Sequence, residues 1–345
     1  MRFLILSVVL FAPTPAASDY LETTPGSLAG IAPGYPDVLK PATGYTFTEG
    51  PVWDSANGYL IFSDIDGNQM WRVAPPGAAV SYRNPSQRAN GNTLDLSGNV
   101  LTCEQTTGCV SRNGVALIST YGGLRFNAPN DVVVKSDGTI WFTDPDYGAP
   151  SPKPQAQNRV YRYDPGTGTV TAVQTTFNEP NGLCFSPDES KLYIADSGLP
   201  HWIRVFTVNG DNSLTEIGSS FVTIAPGVPD GIRCDAGGRV YSSCGNGVQV
   251  FQPDGTKLGT ILVPEKNSSM IQQATTNLCF GGSDGMTLFM TSQTSVYSVH
   301  LSNLGSGSGG GSPVPSGGGG CGALGLEALA GLLLARRRRR KALRA

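Results

Sequence analysis

The stretch "APNDVVVKSDGTIWFTDPDYG" (128–148) places two runs rich in β-branched and aromatic residues on either side of a Ser136-Asp137-Gly138 turn, the pattern of a β-hairpin. The first run is entered through Asn130-Asp131, a pair poorly suited to a strand interior. The same frame returns in "EPNGLCFSPDESKLYIADSG" (179–198), with Asn181 in the place of Asn130. Aligning each copy on its turn gives Glu49, Asn90, Asn130, Asn181, Asp230 and Asn277, all seven positions before the turn centre and spaced 41, 40, 51, 49 and 47 residues apart. Repeats of ~40–50 residues with four strands each describe the blade of a β-propeller. The sequence therefore predicts an all-β, six-bladed β-propeller built as one domain.

Composition agrees. The chain has 345 residues, 45 of them Gly and 25 Pro, as expected of many short strands joined by turns. The propeller is expected over 18–304. Ahead of it, Met1-Arg2, the apolar run 3–12 and the small residues Ala16-Ala17 read as a secretory signal peptide over 1–17. Behind it, 305–320 is a Gly/Ser/Pro linker, and 321–345 combines Cys321, a short apolar run and an Arg cluster. That apolar run is shorter than a free-standing membrane span. The segment resembles the MYXO-CTERM type of C-terminal sorting signal, which implies a transient membrane anchor read by a processing protease, with Cys321 as the processing or attachment point. The expected localisation is export to the cell surface or the extracellular space, with the membrane touched only through the C-terminal segment.

Without its ends the protein is acidic: residues 18–321 carry 16 basic and 25 acidic side chains, a net charge of −9. A nucleic-acid partner is excluded on that ground. Six cysteines lie in the body (103, 109, 184, 234, 244, 279), none with zinc-site spacing. Cys103 and Cys109 flank a turn-like "EQTTG" and could bridge across a hairpin, although an even count fixes no connectivity.

The inner strands of a propeller run along its central channel, so equivalent residues at their starts form a ring about one axis. A single Asn or Asp at a strand entrance is an ordinary turn residue. Six in one register, one of them Glu, point instead to a shared site. The ring offers hard oxygen donors without imidazole or thiolate, and a divalent cation would neutralise Glu49 and Asp230.

The segments "FTEGPVW", "ANGNTLDLSGNVLTCE", "NAPNDVVVKSDGTIWFTDPDYG", "PNGLCFSPDESKLYIADSG" and "VPDGIRCDAGGRVYSS" closely resemble the senescence marker protein, gluconolactonase and luciferin-regenerating enzyme-like family, from about Phe47 to Leu301. The resemblance implies a six-bladed propeller lactonase with one divalent metal in the channel. By motif position it makes Glu49, Asn181 and Asp230 metal ligands and Asn130 a further ligand or a substrate contact. Ca²⁺ is the expected cofactor, with Mg²⁺, Mn²⁺ or Zn²⁺ as alternatives. Many bacterial members carry Cys-Glu-His where this chain has Cys103-Glu104-Gln105, and animal members place an Arg two residues before the Asn-Asp pair, where Arg125 here lies five before Asn130. Asn90, Glu104, Arg125 and Asn130 are the candidate substrate contacts.

The two histidines are His201, near a blade connection, and His300, in the last alternating strand, which gives a serine-hydrolase mechanism little support. Metal-assisted hydrolysis of a small-molecule lactone is the expected chemistry, with Asp230 as general base. Two other readings stay open: a non-catalytic calcium-stabilised binding propeller, and a metal-dependent aryl-ester or organophosphate hydrolase.

Overall fold

The computed structural model describes residues 21–23, 28, 30–31, 38–264 and 273–305. The signal-like segment, nearly all of the linker and the C-terminal segment lie outside them.

Six antiparallel sheets, each with at least four strands, follow one another along the chain. Their innermost strands are Thr48–Asp54, Ala89–Leu94, Val132–Val134, Pro180–Phe185, Ile232–Cys234 and Asn277–Gly281. Each innermost strand contacts that of the next blade, and the sixth contacts the first, so the blades close into a ring. Closure is made by chain crossing: Leu39–Thr43, from before the first blade, pairs with Ser295–His300 as the outer strand of the sixth. Leu21–Thr23 likewise adds an outer strand to the fifth blade by pairing with Lys257–Leu262. The six-bladed all-β architecture is the one the turn-centred repeat predicts.

Period-two alternation fills the space between blades. In the third blade, Ile140 and Phe142 pack into one apolar cluster with Leu101 and Val110 of the second blade, while Trp141 between them packs with Leu183 and Phe185 of the fourth. Trp141 is fully buried, its ring 5.5 Å from that of Phe185 in an edge-on contact. Both faces of the strand Ile140–Asp144 are thus core, and all five of its residues are buried.

The six cysteines of the body are free thiols. The suggested Cys103–Cys109 bridge does not form. Cys109 lies opposite Glu104 and Cys103 opposite Val110, so the two thiols project from opposite faces of the hairpin.

Candidate functional site

In three blades the second strand ends in an aspartate that grips the loop leading into the first. Asp144 accepts the N–H groups of Asn127 (2.9 Å) and Ala128 (2.8 Å). Asp64 accepts those of Thr46 (3.1 Å) and Phe47 (2.9 Å), and Asp196 those of Asn178 (3.1 Å) and Glu179 (2.8 Å). Each time the held residues are the third and second before Asn130, Glu49 or Asn181. Burial pushes the Asp144 carboxyl up to about 7, against the two N–H bonds that favour its charged form.

Beyond the ring residues the inner strands nearly touch. Glu49, Asn90, Asn181 and Asp230 are each followed by glycine. The N–H of Gly91 donates to the carbonyl of Asn130 in the next blade at 2.7 Å. A Cβ on Gly91 would lie 2.5 Å from that carbonyl oxygen and 2.6 Å from Asp131 Cα, backbone that cannot step aside. Gly91→Ala should therefore destabilise the fold by about 1–3 kcal/mol and displace Asn130, measurable as a lower urea midpoint.

The ring surrounds a cavity of about 460 Å³ lined by Glu49, Asn90, Asn130, Asn181 and Asp230. Asn277 does not line it: its Nδ2 donates to Glu49 Oε2 at 3.1 Å, and Gly50 N–H reaches the same oxygen at 2.7 Å. The sixth register residue thus aims Glu49. Asn181 Nδ2 donates to Ser197 Oγ at 3.0 Å, and the same side chain hydrogen-bonds Asp230, favouring its charged form. Asn90 is 4 % exposed and its Oδ1 has no hydrogen-bond partner among the described residues.

Burial raises the Glu49 carboxyl to about 7, an effect that its Gly50 and Asn277 bonds only partly offset. Asp230 keeps some exposed surface yet is held well above the usual carboxylate range, first by burial and then by repulsion from Glu49 and Asp131. Deeper in the channel, Arg233 Nη1 pairs with the fully buried Asp131 at 3.0 Å. When ionised, Glu49, Asp131, Asp230 and Arg233 together carry a formal charge of −2. Among the described residues, no three His, Cys, Asp or Glu side chains gather as a metal cluster. A cation here would rest on two carboxylates supplemented by amide oxygens. That donor set suits a hard divalent ion: it is all oxygen, it carries the matching charge, and its carboxylates are poorly stabilised without a counter-ion.

Arg125 and Glu104 lie outside the cavity lining. The Arg125 guanidinium donates to the carbonyls of Phe126, Thr106 and Gln105, tying down the loop into the third blade. Glu104 pairs with Arg83 at 2.9 Å and accepts from Thr107. Neither histidine lines the cavity: His201 occupies a loop in the left-handed conformation, and His300 is exposed, 3.8 Å from Asp284. The wall instead includes Phe47, Arg88, Gln105, Tyr147, Glu179, Ser197 and Val228, which the repeat frame did not single out.

The family model described as SMP-30/Gluconolactonase/LRE-like region matches residues 47–294. The chain is 30 % identical over 296 residues to a gluconolactonase of Zymomonas mobilis, covering 76 % of this chain and 81 % of that one. It is 27 % identical to pentonolactonase XacC of Haloferax volcanii, covering 71 % and 80 %. Among solved structures it is similar to the gluconolactonase XC5397 of Xanthomonas campestris, with a TM-score of 0.74, 31 % identity, and coverage of 82 % of this chain and 95 % of that one. The channel, its register of oxygen donors and these likenesses converge: the chain belongs to the SMP-30/gluconolactonase/LRE-like family.

Proposed function

We propose that this protein is a metal-dependent lactone hydrolase of the gluconolactonase type, with a divalent cation, Ca²⁺ by donor hardness, held by Glu49, Asn130, Asn181 and Asp230. The observation that carries the reading is the channel's charge: two carboxylates destabilised by burial and proximity, in a wall shared with three asparagines, with a formal −2 once the Asp131–Arg233 pair is included. Similar proteins named gluconolactonase and pentonolactonase support a lactone as substrate.

When bound, the cation supplies positive charge that polarises a lactone carbonyl and offsets the negative charge developing on its oxygen. The chain's own residues divide the remaining work. Glu49 is held by Gly50 and Asn277 and is 4 % exposed, so its role is fixed charge. Asp230 keeps surface in the cavity and is placed to take a proton from the attacking water at a carboxylate oxygen. Asn90, in the same wall, meets the substrate.

Initial rates of proton release from glucono-1,5-lactone, a homoserine lactone and an aryl ester, measured with calcium present, test this assignment. Lactone opening that exceeds ester hydrolysis is expected. Preference for the aryl ester would move the assignment to that class, and inactivity on the whole panel with calcium bound would make the protein a calcium-stabilised binding propeller.

A further inference from the structure

Cys184 and Cys234 stand on the innermost strands of the fourth and fifth blades, and their sulfurs lie 3.5 Å apart. Cys184 is three residues past Asn181 and Cys234 four past Asp230. The same two offsets at the preceding interface give Val133 of the third blade and Phe185 of the fourth, which share one apolar cluster. Neighbouring inner strands therefore pack side chain on side chain at these offsets. Between the fourth and fifth blades the two positions are held by thiols.

The backbones that carry them are fixed side by side. Gly182 N–H donates to the carbonyl of Asp230 at 3.1 Å, and a Cβ on Gly182 would run into that oxygen. Reaching the ~2.05 Å of a disulfide from the present 3.5 Å asks the two sulfurs to close by about 1.5 Å. Cys103 and Cys109, by contrast, project from opposite faces of their hairpin. Among the described residues no third His, Cys, Asp or Glu gathers with Cys184 and Cys234, so the pair is not built as a metal clip.

The two thiols differ in access. Cys184 is 3 % exposed, whereas Cys234, at the end of its strand, keeps part of its surface. The Cys184 thiol beside it, and then burial, hold the Cys234 thiol well above its ordinary value. The reduced pair is on that account a slow nucleophile, and a bond between these sulfurs is slow to yield to exchange.

We propose that Cys184 and Cys234 form a disulfide that staples the fourth blade to the fifth, installed by exchange with a disulfide oxidant. The partly exposed Cys234, as its thiolate, attacks one sulfur of the oxidant R–S–S–R, whose S–S bond breaks. A mixed disulfide forms on Cys234 and one RS⁻ leaves. Cys184, as its thiolate, then attacks Cys234 Sγ, which forms the inter-blade bond and releases the second RS⁻. The two cysteine protons end on the two RS⁻ groups, so two protein thiols are oxidised while one oxidant disulfide is reduced to two thiols. Such oxidants act on exported proteins, the destination expected from residues 1–17. The bond joins strands that also carry Asn181 and Asp230, two cavity-wall residues from different blades. Its formation needs neither metal nor lactone.

The test starts from folded full-length protein, reduced with dithiothreitol and freed of it, then equilibrated with oxidised glutathione at alkaline pH. Remaining thiols are blocked with iodoacetamide and tryptic peptides are mapped without reduction. Peptides 163–191 and 234–239 carry one cysteine each, Cys184 and Cys234, and should appear joined. Cys184→Ala should instead accumulate one glutathione on Cys234, because no thiol remains to displace it. Cys234→Ala should leave the buried Cys184 unmodified. Oxidation should raise the urea midpoint of wild type by about 0.5 M or more, and should not raise that of Cys184→Ala. The wild-type map and midpoint decide the matter even where a variant fails to fold. Unlinked peptides after oxidation, a link between other cysteines in place of this one, or a joined pair with an unchanged urea midpoint would overturn the proposal.

Discussion

Asp230→Asn should lower lactone turnover by about 10²–10⁴-fold at saturating calcium, the loss expected when a general base is removed. The substitution keeps one side-chain oxygen and nearly the same volume, so the cavity and a neutral ligand survive while charge and basicity are lost. Glu49→Gln makes the matching change at the other carboxylate, where the outcome should differ. Glu49 is fixed by Gly50 and Asn277 and faces the channel as charge. Its substitution should weaken cation binding, and excess calcium should restore most of its rate. The comparison is a full titration of rate against calcium for each variant. Equal residual losses at saturation would leave Asp230 without a role beyond holding the ion.

Arg233→Met should destabilise the propeller by about 3–5 kcal/mol, the cost of breaking a buried pair from one side. Asp131 is fully buried, and Arg233 Nη1 supplies its ionic partner at 3.0 Å while also donating to the carbonyl of Ile232 at 2.7 Å. Removing the guanidinium strands the carboxylate beside Glu49 and Asp230, whose charges it already opposes. Adding Asp131→Asn to Arg233→Met should recover part of the loss. Urea unfolding of the two single variants and the double variant closes the cycle, and simple additivity would mean that the pair contributes no coupling.

The blade count and the ring were legible in the sequence because both are local. A turn and the polar residue seven positions ahead of it lie on one hairpin, so the register survives without knowledge of the fold. The structure places five of the six register residues in the cavity wall, and the sixth, Asn277, beneath Glu49. Nothing in the spacing distinguishes a residue that faces the channel from one that orients its neighbour.

Other features depended on contacts between distant segments. Arg125 is near Asn130 in the chain, yet its guanidinium is already engaged by backbone carbonyls, including those of Gln105 and Thr106. Glu104 is similarly taken by Arg83. The wall residues Phe47, Arg88, Glu179 and Val228 escaped notice because they have no common residue type, although each stands two places before a ring residue. The glycines after Glu49, Asn90, Asn181 and Asp230 were a visible signal. Their meaning appears only when the next blade's backbone is seen against them.

A dependence of lactone opening on a divalent cation in this channel is the expected result. It is tested most directly by following proton release from glucono-1,5-lactone in wild type stripped by chelator and then titrated with calcium, with bound metal counted by equilibrium dialysis on the same samples. The enzymatic rate should vanish with the metal and return in proportion as a single ion per chain is bound. Full activity in metal-free protein, or activity that returns without metal bound to the chain, would contradict it.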